Sequence, residues 1–137
     1  MKLTPEQALQ QGVAAHKEGK LQEAERLYRT ILQSQPKHPD ANHNLGVLAL
    51  SVNQAQAALP FFQAAVDANP NIEQFWLSYI EALIAVGQVE TAKQALKKGK
   101  KKGVAREKLK ALKQKLMSVK AGGNPVQALA HAEKQTL

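Results

Sequence analysis

The sequence predicts an all-α fold: an α-solenoid of three repeated helix pairs followed by a basic capping helix. Three observations carry this. Small and helix-ending residues recur at intervals of 34: Ala24, Ala58 and Ala92; Gly12 and Gly46; Pro36 and Pro70; Gly19, Asn53 and Gly87. Periods of that size mark stacked repeats. Between these marks, apolar residues stand three and four apart, the spacing of one helix face. Finally, the apolar share is 44% with only 4% aromatic, so the core is one of Ala and Leu, suited to close helix packing.

Each mark has a mechanical reason. Gly19, Asn53 and Gly87 end a helix in a left-handed conformation, which Gly adopts freely and Asn next best. Pro36 and Pro70 close the second helix of a pair, because the residue before Pro avoids the α region. The first helix starts at Thr4, with Pro5 at its first position and Gln7 completing a capping box, and runs to about Glu18. Its partner covers Lys20–Ser34, with Leu21, Ala24, Leu27, Tyr28 and Ile31 on one face. The second pair is Asp40–Val52 and Gln54–Ala68. Pro60 removes one backbone bond from the latter and predicts a mild bend rather than a break. The third pair is Ile72–Val86 and Gln88–Lys101. A last helix, Val104–Lys120, carries the stripe Leu109, Leu112, Leu116 and Val119 and otherwise mostly Lys, as a terminal cap with one wet face should. Residues 121–137 begin with Ala121-Gly122-Gly123-Asn124-Pro125, a break, followed by a short helical pattern over Val126–Lys134.

This layout resembles the tetratricopeptide repeat (TPR), a helix–turn–helix unit of 34 residues. The repeats read as 5–38, 39–72 and 73–106, inside a domain spanning 1–120. Leu45-Gly46 matches the family's Leu-Gly pair, and Tyr28 and Phe62 its large aromatic on the second helix. The third repeat keeps Trp76 and Tyr79 but has Ile80 for Gly, Leu96 for the aromatic, Gly99 for Ala and Val104 for the closing Pro.

Several function classes are excluded or disfavoured. There is no Cys, hence no disulfide, iron–sulfur cluster or thiol nucleophile. No apolar run reaches the about 18 residues of a membrane span, and MKLTPEQALQQG lacks the apolar core of a secretory signal, so a cytoplasmic location is expected. His16, His38, His43 and His131 show no metal-ligand spacing, and no nucleophile–base pattern occurs. Gly99–Gly103 (GKKKG) is no phosphate loop, since GxxxxGK[ST] and a preceding strand are absent. The expectation is a chain without catalytic residues, metal or cofactor.

The first helix of each pair carries two apolar stripes. One packs on the partner helix. The other lines the concave flank of a stack, formed by Leu9, Val13 and His16, then His43, Asn44, Val47 and Leu50, then Leu77, Glu81 and Ile84. Exposed apolar surface of that extent marks a partner site, here for a peptide or a protein surface. The resemblance implies a scaffold or adaptor role. It also offers a test against one family mode, the clamp for acidic C-terminal peptides. The matching places hold Leu9, Val13, Asn44, Gln74 and Ser78, and only Asn44 agrees, which predicts against that clamp. A family ladder of Asn side chains on peptide amides would retain one rung, Asn44, flanked by Gln10 and Ser78. The layout is also similar to bacterial proteins in which such repeats precede a glycosyltransferase, sulfotransferase or methyltransferase domain. With no C-cap signal at Leu137, the chain is expected to continue in a longer protein, whose remainder is then a candidate partner.

The net charge of +8 is local. Residues 1–92 hold 6 basic and 9 acidic side chains, whereas 93–120 hold 12 basic ones against Glu107. The patch comprises Lys97, Lys98, Lys100, Lys101, Lys102, Arg106, Lys108, Lys110 and Lys113. It is a solvated face, a surface for an acidic protein or another part of the chain, or a site for nucleic acid or an anionic membrane. Nucleic acid is the less favoured: Arg106 alone can make a bidentate guanine contact, and no aromatic lies between 93 and 137 to stack a base.

Overall fold

A computed structural model of the chain describes residues 2–122. They form seven helices: α1 (Pro5–Lys17), α2 (Leu21–Ser34), α3 (Pro39–Ser51), α4 (Ala55–Ala68), α5 (Glu73–Ala85), α6 (Val89–Lys101) and α7 (Arg106–Gly122). The seven helices expected between Thr4 and Lys120 are present, and the shifts at their ends are the ordinary fraying of helix boundaries. The helix expected at Val126–Lys134 lies outside the described residues. The described residues fall into two compact units, one up to residue 69 with α1–α4 and one from residue 70 with α5–α7.

In the first unit, Thr4 opens α1 with a reciprocal capping box: its Oγ1 accepts from the Gln7 N–H at 3.1 Å, and its own N–H donates to Gln7 Oε1 at 2.9 Å. At the α3 start the cap is His38, whose Nδ1 accepts from the Ala41 N–H at 3.1 Å, which places the neutral ring's proton on Nε2.

Two kinds of helix ending alternate. Gly19 (φ 78°) and Asn53 (φ 60°) take the left-handed conformation, and the next N–H reaches back: Lys20 to the Ala15 carbonyl at 2.8 Å, Gln54 to Ala49 at 2.9 Å. By contrast α2 and α4 stop on extended residues, Gln35 and Asn69, each held so by the following Pro. Helix α4 runs unbroken through Pro60, an exposed residue.

The period also fixes the packing. Ala24 and Ala58 are wholly buried. Gly12 and Gly46 admit the rings of Tyr28 and Phe62: a Cβ on Gly12 would lie 2.5 Å from Tyr28 Cε1, and one on Gly46 would lie 2.6 Å from Phe62 Cδ1. Both rings are buried, each contributing roughly 1.5–3 kcal/mol. Tyr28 joins Ala15, Ala24, Leu45 and Leu48 in one cluster, so α2 is sealed against α1 and α3 together.

In the second unit, the places of that glycine and ring are taken by Ile80, wholly buried, and Leu96. Bulk has moved from the second helix to the first. Where Val104 stands for the closing Pro, a left-handed Gly103 (φ 95°) ends α6, and Val104 N–H bonds the Gly99 carbonyl at 3.0 Å. The buried Val104 side chain lies over Gly99, where an added Cβ would stand 3.4 Å from its Cγ2. α7 follows, burying Leu112, Leu116 and Val119 of the expected stripe, with Leu109 partly buried, and packs on α5 and α6.

One side-chain device recurs in both units. Asn42 Nδ2 donates to the carbonyls of Pro36 at 3.1 Å and His38 at 3.0 Å. At the same repeat position Trp76 Nε1 donates to the Pro70 carbonyl at 2.7 Å. A buried side-chain donor thus pairs with the carbonyl of the closing Pro in each case.

Candidate functional site

On α3 the buried residues are Ala41, Asn42, Leu45, Gly46 and Leu48. One position further round, His43, Asn44, Val47 and Leu50 are all partly buried. On α1, Ala8, Gly12 and Ala15 are buried while Leu9, Val13 and His16 are partly buried. α1 and α3 therefore both present the second stripe as a partly buried, mostly apolar face beside a filled core. α1 and α3 also touch directly.

The polar part of this face is organised by Asn44. Its side chain stands beside Tyr28 of α2 and His43 of its own helix and acts on the titration of both. Burial raises the Tyr28 phenol above its ordinary value, against the opposing effect of Asn44. Burial pushes the His43 imidazole below its ordinary value, against the opposing effects of Asn44 and the Asp40 carboxylate. Its ring lies 5.5 Å from that of Phe62, tilted by 48°. His43 and Asn44, both partly buried, form a polar edge for the apolar strip of Val47 and Leu50.

The α5 positions divide differently. Leu77 is partly buried and Glu81 exposed, but Ile84 is 2% exposed and belongs to the core, which corrects its assignment to the docking surface. An apolar residue on the second stripe is buried whenever a neighbour covers it, and spacing alone does not reveal the neighbour. Glu81 Oε1 stands 3.5 Å from Lys115 Nζ of α7. Gln74 and Ser78, at places the acidic-peptide clamp would use, are tied together at 3.1 Å, with Ser78 buried.

The start of α7 is pinned by a carboxylate. Glu73, in the first turn of α5, accepts from the Ala105 N–H at 2.8 Å and pairs with Lys108. Lys108 first, then the Ala105 N–H, hold its carboxyl below the usual carboxylate range. The nine patch residues are all exposed, and Lys108 is the one among them with an ion pair among the described residues.

A feature with no sequence signal of its own is a cleft of about 350 Å³ in the first unit, where α2, α3 and α4 meet. Leu21, Leu48, Val52 and Phe61 line it, and Arg29 stands over the Phe61 ring at 5.7 Å while pairing with Glu25 at 2.8 Å. The adjacent Phe61 and Phe62 are both aromatic. Phe62, the ring that stands 34 residues after Tyr28, fills the core, while Phe61 is left partly exposed.

Among the described residues no three His, Asp or Glu side chains are grouped to hold a metal ion. Among them, too, no helix is long and apolar enough to cross a membrane.

Two family models, both described as tetratricopeptide repeat, match residues 9–72 and 49–116. No curated protein sequence matches the chain. Among solved structures, it is similar to the Sgt2 TPR domain from Aspergillus fumigatus, at 21% identity and TM-score 0.73, over 88% of this chain and 84% of that one. It is similar to the first TPR of Spaghetti (RPAP3) bound to the HSP90 peptide SRMEEVD, at 19% identity and TM-score 0.72, over 85% of this chain and 96% of that one. The P58(IPK) TPR domain matches at 19% identity and TM-score 0.73 over 85% of this chain, which spans 33% of that longer chain.

Proposed function

The chain belongs to the tetratricopeptide-repeat family, whose members are protein-interaction modules, and we propose that it acts as a non-catalytic adaptor docking a peptide on the α1–α3 face of its first unit. The observation that supports this is the row of half-exposed Leu9, Val13, Val47 and Leu50, beside a core already closed by Tyr28 and Phe62. Leu9 packs on the core from one side, and the part of the row that the chain leaves uncovered is apolar surface a ligand can bury. Apolar anchors on the ligand supply the affinity, and His16, His43 and Asn44 set its register. In the second unit Leu77 and Glu81 are the α5 residues proposed for partner contact.

The neighbour bound to SRMEEVD suggests the comparison ligand. With Leu and Val where an acidic-tail clamp needs cations, the preferred ligand is an apolar or mixed peptide. The test is a displayed peptide library selected on the whole chain, with SRMEEVD as a reference. Selected peptides should be apolar at two or more positions and should lose roughly 10–100-fold in affinity on Val47→Glu, the effect of removing one buried apolar anchor. Peptides that bind Val47→Glu and Leu50→Glu as well as the original chain would refute the face. Tight SRMEEVD binding would refute the stated preference.

A further inference from the structure

The cations of α6 and α7 are of two sorts. Lys108 and Lys115 lie on the flank of α7 that meets α5, where they pair with Glu73 and Glu81. The other flank presents Arg106, Lys110, Lys113 and Met117 at spacings of four, three and four, all exposed. On α6, Lys97, Lys98 and Lys101 form a second exposed row.

Helix stability does not account for this arrangement. Lys98, Lys100 and Lys101 suit the C-terminus of α6, where cations are favoured. Arg106 and Lys108 stand in the first turn of α7, where the macrodipole disfavours cations. Lys97 and Lys101, and Arg106 and Lys110, are like charges four apart, which repel. The free row of α7 therefore works against its own helix. Its counter-charge is to be sought outside the described chain.

We propose that this face docks the surface of an anionic lipid bilayer, held by electrostatic attraction without insertion of the helix. The apolar stripe of α7 is turned into the core, so α7 has no hydrophobic face left to bury in lipid. Lysine is a strongly hydrated point charge on a flexible stem, suited to a diffuse layer of headgroups rather than to a fixed bidentate site. Met117, 60% exposed, ends the free row of α7. One apolar side chain among cations contributes at a lipid interface and adds nothing to contacts with phosphates of a duplex. The absence of aromatic residues from 93 to 137 argues the same way against single strands.

The experiment is co-sedimentation of the whole chain with vesicles of phosphatidylcholine alone and of phosphatidylcholine with phosphatidylserine, at low and physiological salt. Binding is expected only with phosphatidylserine and should weaken as salt rises. At about 1 kcal/mol for each cation near the surface, or roughly fivefold, Lys110→Gln with Lys113→Gln should weaken binding roughly 25-fold. Lys17→Gln with Lys37→Gln, in the first unit, should leave it unchanged. Met117→Gln should weaken vesicle binding while leaving any residual duplex DNA binding as it was. All these sites are exposed, and far-UV circular dichroism verifies that each variant is folded. No phosphatidylserine binding at low salt overturns the proposal. So does binding insensitive to the Lys110 and Lys113 changes, or tighter retention by duplex DNA or polyglutamate than by vesicles at equal salt.

Discussion

Replacing Gly46 by Ala tests the packing rule on which the first unit rests. The new Cβ would lie 2.6 Å from Phe62 Cδ1 and 2.8 Å from Cζ, closer than real carbon atoms approach. The Phe62 ring has no exposed edge through which to swing away. Overpacking of this kind costs about 1–3 kcal/mol. Ala over Gly in a helix interior returns about 1 kcal/mol. With three ring atoms inside the forbidden distance, the upper part of the range applies, and a net loss of about 1–2 kcal/mol is expected. For a unit of this size that lowers the melting midpoint by roughly 5–15 °C. The second unit contains its own answer, since Ile80 and Leu96 stand at the equivalent places. Gly46→Ala combined with Phe62→Leu should therefore recover stability relative to the sum of the single changes, with a coupling of about 1 kcal/mol or more. The assay is urea and thermal unfolding followed by far-UV circular dichroism, with fluorescence of Trp76, the sole Trp, reporting on the second unit separately. A Gly46→Ala chain as stable as the original, or strictly additive single and double variants, would refute the idea that the missing side chain makes room for the ring.

The remaining predictions concern the second unit. Its Glu73 carboxyl is held below the usual range, so it favours the fold above the ordinary carboxylate pKa, and that contribution disappears as pH falls through the lowered folded value. The urea midpoint of Glu73→Gln should lie below that of the original chain at neutral pH and converge with it in acid; a constant gap across pH would contradict the pairing with Lys108 and Ala105. Gly103→Ala places a side chain at φ 95° with nothing within 4 Å of its Cβ, so it should cost about 1–2 kcal/mol in urea unfolding from backbone strain alone. Gly103→Asn should cost less, and equal effects of the two would argue against strain.

The local grammar of the chain was legible wherever one residue acts on its own neighbours. Thr4 and Gln7 announce their capping box, and Pro36 and Pro70 stop helices by restricting the residue before them. The left-handed sites at Gly19, Asn53 and Gly87 follow from the same kind of reasoning. Gly103 was harder to read, because at the place of Gln35 and Asn69 it replaces a proline ending by a glycine ending. What stayed hidden depends on distant pairs. Glu73 reaches Ala105 across 32 residues, and no periodicity encodes that. The separation of Lys108 and Lys115 from the free lysines depends likewise on where α5 lies. Of the docking stripe, the α1 and α3 members occupy the half-exposed positions the spacing indicates, and Ile84 does not. His38 as a cap was missed because ring nitrogens are uncommon in that role beside Ser, Thr, Asp and Asn.

The two units solve the same closure problem with opposite distributions of bulk, and this bears on where each can bind. In the first, the ring comes from α2 or α4 and the facing helix contributes a bare backbone. α1 and α3 thus satisfy the core with Ala, Gly and Leu on one stripe, and the second stripe is left half in water. In the second unit, α5 supplies the bulk itself through Trp76, Ile80, Leu83 and Ile84, all buried. Its accessible chemistry has shifted to charge: Glu73 and Glu81 pair with Lys108 and Lys115 of α7, Glu81 staying exposed, and the free cations stand on α6 and α7. The apolar peptide face of α1 and α3 and the cationic face of α6 and α7 would then work through different forces, one insensitive to salt and one strongly weakened by it. Neither would compete with the other for side chains, since no residue named for one belongs to the other.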